Sequence, residues 1–101
     1  MAKWAFLTNH ALVLFHVFLH PQSTLREISE AAGITERAAL SCLRQMEADA
    51  LVSREREGRR NRYTVNVSGV LEHQTRGGYS IEQIALIVTE VAAELRKARQ
   101  G

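Results

Sequence analysis

Cysteine is nearly absent from this 101-residue chain, which has Cys42 alone. A single thiol excludes an intrachain disulfide framework and any cysteine-only metal cage, and it fits a reducing compartment, so a cytoplasmic location is expected. Long apolar runs are also missing. The longest, Ala11 to Leu19, is interrupted by His16 and falls far short of the ~20 residues a membrane-spanning helix needs. A signal peptide would place a small-residue cleavage site after it, whereas His20-Pro21-Gln22-Ser23 reads as a helix stop and a turn. The chain also lacks a convergent nucleophile–base set, a phosphate-cradling glycine loop and a spaced metal triad, so neither catalytic residues, a cofactor nor a metal site is expected. There is no internal repeat or low-complexity segment.

With 46% apolar and 24% charged residues, the chain fits one small globular body with little to spare for a second core. Thr8 or Asn9 caps a first helix that is apolar nearly all round and is closed by Pro21. Such a helix must be covered on several sides, and the apolar lead-in from Trp4 to Leu7 could cover it in the same chain or in a partner chain. Thr24-x-x-Glu27 has capping-box spacing and starts a second helix with an apolar stripe of Leu25, Ile28, Ala31 and Ala32. Gly33 ends this helix and Ile34 plugs the turn.

Thr35 caps a third helix reaching about Asp49, with Glu36 favourably placed against its positive end. Winding Glu36 to Ala48 at 100° per residue gathers Ala39, Cys42, Leu43 and Met46 on one side. Arg37, Ser41 and Arg44 lie opposite, with Gln45 at one edge and Leu40 at the other. After Leu51 the period changes to two, and Val52 to Val67 reads as a two-stranded antiparallel wing with Tyr63, Val65 and Val67 inward and Gly58 to Asn61 at the turn. Ser68 to Tyr79 is a polar connector in which Ser68 could cap a short helix through Thr75. Ser80-x-x-Gln83 offers a second capping box, opening a helix to about Arg99.

Positive charge is concentrated at the wing. Arg54, Arg56, Arg59, Arg60 and Arg62 fall within nine residues and, against Glu55 and Glu57, leave +3 in a chain whose total is +2. A helix-turn-helix followed by a basic hairpin offers a B-DNA duplex two probes of matching size, since the major groove admits a helix and arginines enter the minor groove. Arg37, Ser41, Arg44 and Gln45 would reach base edges, and the amide end near Thr35 and Glu36 would approach a phosphate. Arg59 and Arg60 would sit in or beside the minor groove, with Arg54, Arg56 and Arg62 along the phosphates. For an isolated charge run, a solvated hairpin with arginines paired to Glu55 and Glu57 would be the ordinary reading; the preceding helix-turn-helix changes it.

Trp4-x-Phe-Leu-Thr-Asn-His-Ala-Leu-Val-Leu14, Leu25-Arg-x-Ile28, Gly33-Ile-Thr-Glu-Arg-Ala38 and Arg54-Glu-Arg-x-Gly-Arg-Arg-Asn-Arg-Tyr63 resemble a group of short bacterial and archaeal winged helix-turn-helix transcriptional regulators related to the MarR-like and ArsR-like repressors. The resemblance covers about residues 4 to 67. It implies a mainly α fold with a small β-hairpin wing, a third helix in the major groove, a wing on the flanking minor groove, and a homodimer on an inverted repeat. The positions matching that pattern are Thr35, Glu36, Arg37, Ser41, Arg44, Arg59, Arg60 and Arg62.

The expected organisation is thus a winged helix-turn-helix over 1–67, a connector over 68–79 and a C-terminal dimerisation helix over 80–101, in one compact body. Ile81, Ile84, Val88, Val91 and Leu95 follow heptad a/d spacing and form the candidate dimer seam, with Leu86 and Ile87 outside that stripe. A sensor site has weak support. His16 and His20 lie four apart on one helix face with no second ligand pair, and Cys42 falls on a packing face. A small-molecule effector is left open. The reading is a homodimeric, sequence-specific DNA-binding regulator. The rival is a winged-helix adaptor that docks the same hairpin on an acidic protein partner.

Overall fold

A computed structural model describes residues 7–73 and 77–100. Trp4 to Phe6 of the apolar lead-in, and Thr75 in the connector, lie outside the described residues. The order is α1 (Asn9–Leu19), α2 (Leu25–Ala32), α3 (Glu36–Ala48), β1 (Val52–Glu57), β2 (Arg60–Val65), α4 (Val67–Glu72) and α5 (Ile81–Gln100). Contacts gather into two compact units, one ending at Asn66 and the other beginning at Val67.

In the first unit, threonine caps set the start of every helix. Thr8 accepts from the Ala11 amide at 3.1 Å, which selects it over Asn9 as the α1 cap. Thr24 and Glu27 close the expected capping box, the Glu27 amide reaching Thr24 Oγ1 at 3.1 Å and the Thr24 amide reaching Glu27 Oε1 at 2.7 Å. Gly33, at φ +70°, ends α2 with the Ile34 amide bonded back to the Ser29 carbonyl. The α2 stripe differs from expectation at one position: Ala31 is exposed and Ser29 is buried in its place. Ser29 tolerates burial because its hydroxyl donates to the Arg26 carbonyl at 2.8 Å.

The core of this unit sits where α1 packs on α2, α3 and β2. Val13 and Val17 from α1, Ile28 from α2, Ala39, Cys42, Leu43 and Met46 from α3, and Leu51, Val52 and Tyr63 around the hairpin are buried. Only two residues of α1 belong to it; Phe15, Phe18 and Leu19 are half-exposed or more. The all-round apolar character of that helix is therefore not absorbed within the described residues.

The hairpin pairs Val52 with Val65 through to Glu57 with Arg60, so its turn is two residues, Gly58 and Arg59. Arg60 and Asn61, expected in the turn, belong to β2. The tight turn forms because Gly58 takes φ +60°, the positive value needed at the first central position of a type II′ turn. Val67 likewise does not continue the strand. Asn66 interrupts it, its amide bonding to the Leu51 carbonyl at 2.8 Å, and Val67 opens α4. A third residue of positive φ, Ala50 at +60°, ends α3, with the Leu51 amide bonded to the Met46 carbonyl.

The second unit contains α4, packed on α5. Ser80 and Gln83 form the expected reciprocal cap, at 3.0 and 3.3 Å. Neither helix has a buried residue. Along α5, Val88, Val91, Leu86 and Ile87 are 60–71% exposed.

Candidate nucleic-acid interface

Helix α3 separates its two faces as the 100° winding requires. Ala39, Cys42, Leu43 and Met46 are buried, Leu40 is half-buried, and Thr35, Glu36, Arg37, Ser41, Arg44 and Gln45 are exposed. Thr35 Oγ1 accepts from the Ala38 amide at 3.0 Å, so the start of the helix is fixed. Arg37 and Arg44 make no hydrogen bond or ion pair among the described residues. Gln45 is different: its Oε1 is engaged by His10 Nε2 from the first turn of α1. That leaves its NH2 group as the remaining donor of an exposed side chain.

The five wing arginines are all exposed, but the structure gives them different partners. Arg54 pairs with Glu47 of α3 at 3.7 Å and Arg62 with Glu57 across the hairpin at 3.8 Å, both long and solvent-screened. Arg56 Nε donates to the Gly58 carbonyl at 3.0 Å, inside the hairpin. Arg60 turns back on the helices, its Nη1 donating to the Gln22 carbonyl at 2.8 Å and to Glu27 Oε1 at 2.9 Å. Arg59, on the turn itself, is without such a partner among the described residues. The cation at the tip is thus the one most available to an external anion.

Two residues that meet the wing beside its turn were not read from the sequence as wing contacts: Gln22, and Glu27, which was singled out only as a helix cap. Gln22 Nε2 donates to Glu57 Oε1 at 3.2 Å while its carbonyl accepts from Arg60. The Glu27 carboxyl is held down to about 2, first by the Thr24 backbone amide and then by Arg60. It therefore remains anionic throughout the ordinary pH range. Both residues meet the wing from more than thirty positions away, and no local spacing announces such a contact.

The His16 and His20 rings lie against each other at a 38° tilt, with centroids 4.9 Å apart, at the end of α1. The buried Ser23 hydroxyl donates to the His20 carbonyl at 2.9 Å and therefore accepts from His16 Nε2, also at 2.9 Å. Burial, and then the neighbouring His20, push the His16 value down, with Glu27 opposing. Among the described residues no three His, Cys, Asp or Glu side chains gather as a metal site would require. Burial pushes the Cys42 thiol up, the opposite of what a reactive thiolate needs. No helix of the described residues is long and apolar enough to cross a membrane.

No protein-family model matches the chain, and no curated protein matches it either. Solved structures do. MepR of Staphylococcus aureus, a transcription regulator of the multidrug efflux pump MepA, superposes with a TM-score of 0.61 at 20% identity, over 90% of this chain and 64% of MepR. The chain thus spans a little under two thirds of that protein's length. MepR in a complex with DNA matches with a TM-score of 0.55 at 17% identity, over 93% of this chain and 70% of the other. MarR of the same organism, in complex with salicylate and kanamycin, matches with a TM-score of 0.54 at 21% identity, over 90% and 55%.

Proposed function

Starting from the winged-helix fold of MarR-type regulators, we propose that the chain is a double-stranded-DNA-binding transcriptional regulator that acts as a homodimer and by binding alone. The single observation that carries this reading is the trio Arg37, Arg44 and Arg59. These are exposed guanidinium groups without a partner among the described residues, held on a capped helix and a two-residue turn, in a fold also seen in a chain bound to DNA. Arg37, Ser41 and Arg44 face base edges in the major groove, with Gln45 donating at the edge, and Thr35 and Glu36 set the helix start near a phosphate. Arg59 enters the flanking minor groove, and Arg54, Arg56 and Arg62 follow the phosphates.

The dimer is carried by α5. Ile81, Ile84, Val88, Val91 and Leu95 lie along one stripe, four of them exposed and Ile81 half-exposed, and the adjacent Leu86 and Ile87 widen the apolar face. A two-fold pairing through such a face matches the commonest symmetry of small oligomers.

The test is fluorescence anisotropy with a duplex taken from upstream of the chain's own reading frame, over a salt series. Log K should fall linearly with log salt, and Arg59→Ala should lower that slope by about 0.9, the value of one phosphate contact. Arg37→Ala should cost about 1–3 kcal/mol on the preferred sequence and flatten the preference among sequences. A chain acting as an adaptor on an acidic protein would show neither sequence preference nor loss on Arg37→Ala. Equal binding by wild type and an Arg37→Ala/Arg44→Ala/Arg59→Ala variant would refute the proposal.

A further inference from the structure

The wing tip is gripped from outside the wing. Glu57 and Arg60 form the strand pair that closes the two-residue turn, and both are held by one residue of the α1–α2 loop, Gln22. Its side-chain amide donates to Glu57 Oε1 at 3.2 Å, and its carbonyl accepts from Arg60 Nη1 at 2.8 Å. The same Arg60 nitrogen reaches Glu27 Oε1 at 2.9 Å, and Glu27 is itself fixed to the α2 start by the Thr24 amide at 2.7 Å. Three residues beyond Arg60, β2 is further tied by the Tyr63 amide to the Pro21 carbonyl at 2.8 Å. We propose that Gln22, Glu27 and Arg60 form a clamp that fixes the direction in which Arg59 projects, so that Arg60 is a positioning residue for duplex binding and not a minor-groove contact.

Charge supports this assignment, which rests on the DNA-binding reading above. A guanidinium that left Gln22 and Glu27 for a phosphate would give up two hydrogen bonds and bare the Glu27 carboxylate beside a polyanion. Arg59 carries no such cost. The Arg60–Glu27 pair is about half-exposed on both sides, and pairs of that kind add little to global stability. What the clamp supplies is direction: a tip whose closing pair is anchored on both strands cannot swing independently of α2.

The discriminating variant is Gln22→Ala, because it removes no charge and leaves the carbonyl in place. Anisotropy with a labelled mixed-sequence duplex would be measured for Gln22→Ala and Arg60→Ala, each with and without Arg59→Ala. With Arg59 present, each should weaken binding by about threefold or more, within the coupling range of residues sharing one network. With Arg59 replaced, each should change it by less than about twofold, since the clamp would have nothing left to aim. An Arg60→Ala loss that is the same in both backgrounds, with its own decrement in salt slope and no effect of Gln22→Ala, would overturn the clamp and make Arg60 a phosphate contact. Should the wild-type chain fail to bind the duplex, the functional reading falls, and the clamp is judged on the free protein. There Arg60→Ala should speed hydrogen exchange at the Tyr63 amide and at the hairpin amides next to the turn, and unchanged exchange would overturn it.

Discussion

The two units of this chain, one ending at Asn66 and the other beginning at Val67, use apolar residues in opposite ways. In the first, side chains from three helices and the hairpin meet in a closed core, with Val13, Val17 and Ile28 wholly removed from solvent. In the second, α5 is about as long as α1 and α2 together yet buries no residue, and its branched side chains stand in water. The first unit has a closed apolar core, whereas the apolar stripe of α5 is exposed, and in the dimer proposed above it is the stripe that becomes buried. A helix with a one-sided apolar face gains most of its stability from packing rather than from propensity, so this difference governs the predicted variants.

The largest effect should come from denying α5 its partner. Asp at both Val88 and Val91 should leave a monomer by sedimentation, because burying a valine contributes about 1.5–3 kcal/mol and the two-fold counts each position twice. An unchanged mass would remove α5 from the interface. Next is a core contrast in that monomeric background: Leu43→Ala should lower the unfolding free energy by about 2–5 kcal/mol in urea titrations, and Leu86→Ala should stay within about 0.5 kcal/mol. Similar losses at both positions would erase the distinction between the units.

A smaller change, of opposite sign, is expected at Ala50. Its left-handed φ of +60° is unfavourable for a residue with a Cβ, so Ala50→Gly should raise the stability of the first unit, by up to about 1 kcal/mol after the greater chain entropy of glycine is subtracted. The smallest effect is the dependence on pH. His16 titrates below its usual 6.5 in the fold, so the unfolded chain binds the proton first and stability should decline as pH falls past that value. Glu27, held at about 2 against a usual 4.5, contributes stability that is complete above 4.5 and fades as pH falls toward 2. Urea midpoints across pH should therefore show a second decline below 4.5 that shrinks in Glu27→Gln, and midpoints rising toward acid would contradict both assignments.

Local chemistry made much of this legible in the sequence. The threonine caps, the box at Thr24 and Glu27, Gly33, and the face division of α3 all follow from interactions within four or five residues, and the structure has each of them. The departures are contacts that spacing does not encode. Ser29 takes a buried place from Ala31 because its hydroxyl finds a carbonyl one turn back. The end of α3 lacked the usual glycine signal because an alanine occupies the left-handed position. At the candidate interface, arginine type and exposure were readable for all five wing positions. Their division into a tip cation at Arg59 and an inward-tied Arg60 was not, since it depends on Gln22 and Glu27 arriving from α2 and the loop before it.

The bond from Tyr63 to Pro21 also bears on solubility. A hairpin offers two open margins along which a foreign strand could add, and here the β2 margin is occupied at its middle by the α1–α2 loop. The β1 margin carries Arg54, Glu55, Arg56 and Glu57 in succession, and a second copy laid against that row would bring charged side chains into register with little apolar surface to compensate. The arginines and glutamates of this strand thus discourage the wing from seeding sheet growth, whatever else they touch.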